Sequence, residues 1–226
     1  MPSRMRSCLP IAVMLLVQAT TSTATPILDQ ASPPPIPGAS FGGGLGCPCV
    51  TPGDDFDIAQ TLTVGRTGVL AGVDIFINAT VGLGFPESDL LFDIRPTVAG
   101  VPFDSNAAAL VALQISKFSV PNLEPDFFLV DLSAAHLGVA AGEQLTFVLR
   151  SDSGNFGFGG QTNNPYGGGT FYSRRAISDP AWSLSSFNGD LTFRTYVDET
   201  AQPVPEPITI TLVMIGLPAC FKRRPQ

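Results

Sequence analysis

The sequence is poor in the side chains from which most active sites are built. Its 226 residues include a single histidine, His136, and only 14% of them are charged. A Ser-His-Asp triad would have to use His136, which lies in a run of small and apolar residues at 134–138, and no nucleophile-elbow pattern occurs in the sequence. We therefore predict a histidine in a loop or at a strand edge, no catalytic residues and no enzyme activity.

Cysteine is also scarce. Cys8 and Cys220 fall in apolar segments near the two ends of the chain. The other two cysteines, Cys47 and Cys49, flank Pro48. A disulfide between positions two apart is strained, and a metal site needs more ligands than this pair offers. Three interpretations of the pair stay open: no role beyond its local segment, an intermolecular cross-link, or a strained redox pair. No metal and no cofactor is predicted.

Basic residues are few and unevenly distributed. Five of the twelve lie near the two ends, and between residues 29 and 206 seven basic residues stand against nineteen acidic ones, a net charge of −12. Phosphate binding needs a cationic surface, so this acidic middle argues against nucleic acid as a partner. Asp54, Asp55 and Asp57 form a small acidic cluster, for which we predict a solvated turn, with a Ca²⁺ site as the alternative.

The first 24 residues have the parts of a secretory signal peptide. Arg4 and Arg6 precede an apolar stretch at 8–17, and small residues follow, with Ser22 and Ala24 suited to the two positions that a signal peptidase reads. We therefore expect residues 1–24 to direct export and to be removed.

The last 23 residues contain three consecutive parts. These are the motif Val204, Pro205, Glu206 and Pro207, an apolar run at 208–221, and the basic cluster Lys222, Arg223 and Arg224. Their order resembles the PEP-CTERM sorting signal of exported bacterial proteins. The resemblance implies processing by an exosortase-like enzyme, with delivery to the cell surface or the extracellular matrix.

The apolar run at 208–221 is short for a permanent anchor. Its fourteen residues would span about 21 Å as a helix, against a hydrocarbon core of about 30 Å, and Pro218 removes a backbone hydrogen bond. The basic cluster predicts that the far end of the run stays cytoplasmic, so we expect a transient transmembrane segment in the inner membrane. The alternative is a buried C-terminal strand.

Composition divides the remainder of the chain. Residues 25–50 contain clustered prolines at 33–37 and three consecutive glycines at 42–44, which predict a Pro/Gly-rich linker. Residues 51–200 are long enough for one hydrophobic core and form the predicted folded domain, and residues 201–226 carry the sorting signal.

Short apolar runs bounded by Gly, Pro, Asn and Asp predict an all-β domain, a single β-sandwich. The predicted strands are 60–64, 70–77, 90–97, 110–115, 127–132, 145–150, 170–173 and 191–197. The one plausible helical turn lies at 133–137, with a further helical start at 107–112. No amphipathic stretch of crossover length separates the strands, which disfavours a parallel α/β sheet.

Several short segments resemble a recurrent exported domain that precedes PEP-CTERM tails. They are 60–64, 68–73, the Ala141-Gly142 turn, the Tyr-Gly-Gly element at 166–168, and 190–197. This resemblance implies a jelly-roll-like sandwich, similar in kind to carbohydrate-binding modules, and it assigns no active site.

Residues 154–182 combine aromatic side chains with glycines and amides. Aromatic faces beside amides are the groups that stack on sugar rings and hydrogen-bond to them. The candidate glycan-binding residues are Phe156, Phe158, Tyr166, Tyr172 and Trp182, with Asn163 and Asn164 nearby. The alternative is that Phe171 and Trp182 belong to the core and that the glycines serve turns.

Two functions remain after these arguments. The first is a non-enzymatic surface or extracellular-matrix protein, sorted and processed through its C-terminal signal. The second is a carbohydrate-binding module that recognises exopolysaccharide.

Overall fold

The computed structural model describes residues 25–46, 55–79, 85–105, 108–152 and 155–199, and this part of the chain is all-β. A short 3-10 helix lies at Ser133–Ala135. The strands are β1 (Ile27–Ala31), β2 (Ser40–Leu45), β3 (Phe56–Thr63), β4 (Gly68–Asn78), β5 (Leu90–Val98), β6 (Val101–Pro102), β7 (Val111–Ile115), β8 (Asp126–Asp131), β9 (Gly138–Val139), β10 (Gln144–Arg150), β11 (Phe156–Thr162), β12 (Phe171–Arg175), β13 (Asp179–Leu184), β14 (Gly189–Leu191) and β15 (Phe193–Asp198).

The strands form two antiparallel sheets in a sandwich-like arrangement. Sheet A has the order β1-β15-β4-β11-β14, with β8 and β9 also paired to β4 and β2 to β11. Sheet B has the order β13-β12-β3-β10-β5-β6, with β7 also paired to β5. All eight predicted strands are present, and the prediction of an all-β fold is confirmed.

The core lies between the two sheets. Alternate residues of each strand point inward, as in β15, where Phe193, Thr195 and Val197 are buried while their neighbours are partly exposed. Phe193 of sheet A packs edge-on against Phe147 of sheet B, with ring centroids 5.4 Å apart. Contacts of this kind join the two sheets through apolar surface removed from water.

The predicted linker at 25–50 is wrong for the two segments that form strands. β1 pairs with β15 and β2 pairs with β11, and Leu45 at the end of β2 is fully buried. The prolines between these strands lack an amide hydrogen, but their carbonyls accept hydrogen bonds: Pro33 from the Thr192 hydroxyl at 2.9 Å, and Pro34 from the Gln161 amide.

The consecutive glycines of β2 permit a close approach rather than flexibility. A Cβ on Gly43 would lie 2.7 Å from Cζ of Phe158 in β11. Any larger residue at this position would force the buried Phe158 ring to shift, so glycine fits here without strain.

The expected helical turn is present in shorter form. The 3-10 helix Ser133–Ala135 ends at His136, which is exposed and adopts a left-handed conformation at φ 49°. The prediction of a loop histidine is therefore confirmed. Of the second possible start, at 107–112, residue 107 lies outside the described residues, Ala108 has 3-10 geometry, and strand β7 begins at Val111.

Residues 1–24 and 201–226, which carry the predicted signal peptide and sorting segment, lie outside the described residues. Across the five described ranges, no helix is long and apolar enough to cross a membrane.

Two leucines of the predicted linker allow a direct test of its structural role. Leu45→Ala should lower the free energy of unfolding by about 3 kcal/mol, because it leaves a cavity in the core. Leu28→Ala is the matched control: Leu28 is 49% exposed, and its loss should change stability by less than about 0.5 kcal/mol. Urea unfolding of a fragment of residues 25–199 measures both, and equal small effects would restore the linker interpretation.

Candidate functional site

A buried pair of polar side chains joins the two sheets. Gln60 in β3 of sheet B and Asp190 in β14 of sheet A are both fully buried. The Gln60 amide donates to Oδ1 of Asp190 at 2.9 Å, and its carbonyl oxygen accepts the backbone N–H of Leu191 at 2.9 Å. Buried polar groups are costly unless they are hydrogen-bonded, so this pair fixes how β3 and β14 face each other.

The same carboxylate anchors the loop between β11 and β12. The backbone N–H of Tyr166 donates to Oδ2 of Asp190 at 2.9 Å, and the Tyr166 hydroxyl accepts from the backbone N–H of Thr63 at 3.2 Å. A Cβ on Gly169 would collide with the carbonyl oxygen of Thr61. The loop therefore meets β3 at Tyr166 and Gly169.

This loop forms one side of a cleft of about 240 Å³. Asn164 and Thr170 line it from the loop, and Ser185, Asn188 and Gly189 line it from the turn between β13 and β14. Phe171 and Leu184 complete the lining. We call this space the asparagine cleft.

Left-handed backbone conformations shape both sides of the asparagine cleft. Asn163, Asn164 and Asn188 have φ angles of 69°, 49° and 46°, a region that asparagine tolerates better than most residues. The backbone N–H of Asn163 donates to the carbonyl of Asn188 at 2.9 Å, which joins the two turns directly. The backbone of the two turns therefore sets where Asn164 and Asn188 lie.

Three stacked phenylalanines lie beside the cleft. Phe41 of β2 stacks on Phe187 with centroids 4.7 Å apart and planes 5° apart, and on Phe171 at 5.4 Å and 12°. Phe171 is buried, whereas Phe187 is 36% exposed. The stack therefore supports one partly open ring at the surface.

Burial sets the ionisation of the carboxylate behind the cleft. Removal of Asp190 from water raises its pKa, and this effect outweighs the hydrogen bonds from Tyr166 and Gln60, which lower it. When the side-chain amide of Asn164 is oriented with its nitrogen toward this carboxylate, it donates to Oδ2 at 3.0 Å and to Oδ1 at 3.2 Å. Asp190 thereby orients an amide that faces the cleft.

The five predicted glycan-binding aromatics do not form an exposed platform. Phe156, Phe158, Tyr166, Tyr172 and Trp182 are at most 8% exposed. Phe156, Phe158 and Tyr166 belong to the main core, and Tyr172 and Trp182 form a smaller cluster with Ala59 and Val148. The prediction that these rings stack on sugars is wrong for this arrangement, because their faces are already covered by protein.

One of the two amides predicted together with these rings does face a cleft. Asn164 lines the asparagine cleft, whereas Asn163 does not. The sequence argument missed Asn188 and Phe187, although the Asn188-Gly189 pair is a turn signal that could have drawn attention to this segment.

The predicted solvated turn at 54–57 is wrong where it is described. Asp55 and Asp57 are buried, and Asp57 accepts a hydrogen bond from Nε of Arg174 at 3.0 Å. Burial raises the pKa of Asp57 more than the neighbouring Arg174 lowers it. Arg174 also covers the Trp182 ring, with its guanidinium carbon 4.4 Å from the centroid.

A second charged cluster lies in sheet B. Asp93 accepts from Arg95 at 2.6 Å and from Arg150 at 2.9 Å, and the Arg95 side chain is fully buried. Both ion pairs are short and have little access to solvent, so the loss of Asp93 would remove the carboxylate that compensates the buried charge of Arg95. These residues serve the fold of sheet B.

An apolar groove of about 340 Å³ lies on sheet A. Ala71, Gly72 and Tyr196 contribute from β4 and β15, Leu129 and Asp131 from β8, and Pro26 and Ser133 complete it. Leu129 is 54% exposed there. Among the described residues, no pair of opposite charges lines this groove.

The remaining predicted site residues fall outside the described residues. These are Val204, Pro205, Glu206 and Pro207, with the basic cluster Lys222, Arg223 and Arg224; Cys47 and Cys49 also lie outside. In the part of the chain that the structure describes, no group of three or more His, Cys, Asp or Glu residues is placed to bind a metal ion.

Comparison with known proteins does not assign this chain to a family. The sequence matches no protein-family model and no curated protein. The features of this chain itself are therefore the basis for its function.

The raised pKa of Asp190 predicts a pH-dependent contribution to stability. The folded state holds this proton more tightly than the unfolded chain, so the contribution is present below about pH 4 and is lost as pH rises through the folded pKa. The amide introduced by Asp190→Asn cannot titrate, and its altered hydrogen bonding adds an offset that does not depend on pH.

Urea unfolding at several values between about pH 4 and pH 7 should therefore show the stability of the wild type falling relative to Asp190→Asn. A difference that is constant, or that grows in favour of the wild type as pH rises, would contradict the burial argument.

Proposed function

We propose that this protein is a non-enzymatic exported protein of the cell surface or extracellular matrix. It is sorted and processed through the C-terminal segment that resembles a PEP-CTERM signal. The proposal draws on the N-terminal signal pattern, the Val204 to Pro207 motif and the basic cluster at 222–224. One structural observation supports it further: the two connections to the rest of the chain leave the sandwich at the same end.

Strand pairing places the two connections together. Ile27 near the start of β1 lies opposite Val197 near the end of β15, so residues 25 and 199 leave the sandwich next to each other. Six residues separate Glu199 from Glu206, and the seven steps between the two Cα atoms span at most about 24 Å when the chain is extended. The sorting motif therefore stays close to that end of the sandwich, and the opposite end points away from the membrane.

In this proposal, the topology of the sandwich is jelly-roll-like. Successive strands change sheets repeatedly, as when β3 of sheet B leads to β4 of sheet A and then to β5 of sheet B. Every described pairing is antiparallel, and many neighbours are distant in sequence, as in double-sheet folds with Greek-key connections. Such a domain is a compact module that a short tail can carry.

Glu206 is the residue that carries sorting in this proposal. Pro205 and Pro207 fix the backbone on both sides and favour an extended conformation. The inner membrane holds the segment 208–221 transiently, and an exosortase-like enzyme meets the carboxylate at the membrane surface. The mature domain is then released to the surface or the matrix.

Replacement of this carboxylate tests the sorting proposal. Glu206→Ala should leave export and folding intact but block tail removal, so the variant stays in the membrane fraction at the unprocessed mass. Glu199→Ala is the matched control, because Glu199 is a half-exposed acid that pairs with Arg66 at 2.6 Å and should contribute little to stability. Cell fractionation with mass spectrometry of the C-terminal peptides reads the result, and identical peptides in all three proteins would refute the proposal.

Reporter fusions test the proposed topology separately. A periplasm-active reporter fused after Thr200 should be active, and the same reporter fused after Gln226 should be inactive, because the cations at 222–224 favour the cytoplasmic side. Equal activity of the two fusions would remove the anchor.

A second candidate function is a carbohydrate-binding module that recognises exopolysaccharide. The asparagine cleft is the observation that favours it, since two amides and two hydroxyl residues line one small space next to a partly open phenylalanine. These groups differ from the rings predicted from sequence, and they place the candidate ligand at the side of the sandwich.

A further inference from the structure

We propose that the asparagine cleft binds one uncharged sugar residue of a polysaccharide chain. This inference rests on the second candidate function and is independent of how the chain is sorted. The cleft's hydrogen-bonding groups, apolar surface, charge and size all bear on it.

The two amides offer the hydrogen bonds that sugar hydroxyls require. The Asn188 side chain has no hydrogen-bond partner among the described residues, so it is available to a ligand. Asn164 is oriented by two contacts with Asp190, at 3.0 and 3.2 Å. An amide can donate and accept at once, which matches the paired donor and acceptor character of neighbouring hydroxyls.

Apolar surface borders these amides. Leu184 lines the cleft and is 67% exposed, and Phe187 in the adjoining turn is 36% exposed. Stacking on Phe41 at 4.7 Å sets the orientation of the Phe187 ring. A ring with a set orientation loses little conformational freedom when the C–H face of a sugar packs on it.

The lack of charged residues in the cleft favours a neutral ligand. None of the residues that line the cleft is charged, and the buried carboxyl of Asp190 lies behind Asn164. A uronate would bring a second carboxylate into this space without a cation to pair with it, which is unfavourable. The net charge of −12 between residues 29 and 206 acts in the same direction.

The size of the cleft limits how much of a chain it can hold. Its volume of about 240 Å³ lies below the range of about 300–1,000 Å³ that is typical of sites for drug-sized ligands. One pyranose ring is therefore the fitting unit, and we expect weak binding with a dissociation constant of about 1 mM.

Two glycine substitutions separate ligand binding from backbone effects. Asn188→Gly removes an amide that lines the cleft, and Asn163→Gly removes the adjoining amide that does not. Both positions have positive φ, where glycine is well tolerated, so both variants should fold. Asn188→Asp is a second variant that keeps the side-chain shape and replaces the donor with a negative charge.

The test uses the full chain, purified in a detergent without a sugar headgroup. Neutral hexasaccharides of glucose, mannose and galactose, and an acidic hexasaccharide of galacturonate, are titrated with saturation-transfer NMR as the readout. We expect binding of at least one neutral probe near about 1 mM and none of the acidic probe. Asn188→Gly and Asn188→Asp should weaken neutral binding at least about tenfold, and Asn163→Gly should leave it unchanged.

Each contrary result overturns the inference. These results are no binding of any neutral probe, equal binding of galacturonate, or the same loss in the position 163 and position 188 variants. Circular dichroism confirms folding of each variant. Failure here would leave the sorting proposal intact, since tail processing is measured on a different part of the chain.

Discussion

The hydrogen bond between Gln60 and Asp190 sets how the two sheets of this protein face each other. Both side chains are fully buried between sheets whose contact is mainly apolar. Apolar packing has no direction, so several relative positions of two such sheets would bury similar area. A buried amide and carboxylate have few satisfactory geometries, and the observed one aligns β3 with β14. The same carboxylate then anchors the backbone of Tyr166 and orients Asn164, so the position of the cleft follows from the packing of the sheets.

Much of the fold was predictable because the folded middle of the chain has a clear local pattern. The alternation of β15 and the apolar runs of β4 and β10 identify strands from sequence alone. Strands β1 and β2 were not predictable in this way. Their composition suggests a flexible chain, but their pairing with β15 and β11 is tertiary. Gly43 looks like a flexible position in the sequence, and the neighbouring Phe158 ring explains why a glycine fits there.

The candidate site was predictable only in part, for a related reason. Sequence identifies aromatic residues and amides between 154 and 182, but it does not say which of them the opposite sheet covers. Phe156 and Phe158 are covered, and Asn164 is not. The other side of the cleft comes from Asn188, which lies 24 positions after Asn164 and reaches it because β14 pairs with β11. No local pattern contains that pairing, so the partner turn could be recognised only from the structure.

The way the chain enters and leaves the sandwich bears on both sorting and the cleft. The pairing of Ile27 with Val197 brings both connections to one end of the sandwich. Under the sorting proposal, the short tail would hold that end at the membrane. In the sorting proposal, a tail this short limits how far the domain can move from the membrane, and the sides of the sandwich would face the surrounding matrix. The asparagine cleft lies at the β14 edge of sheet A, between the β11–β12 loop and the β13–β14 turn. Strand β1 forms the opposite edge of this sheet, so the cleft and the N-terminal connection lie on different edges of the domain.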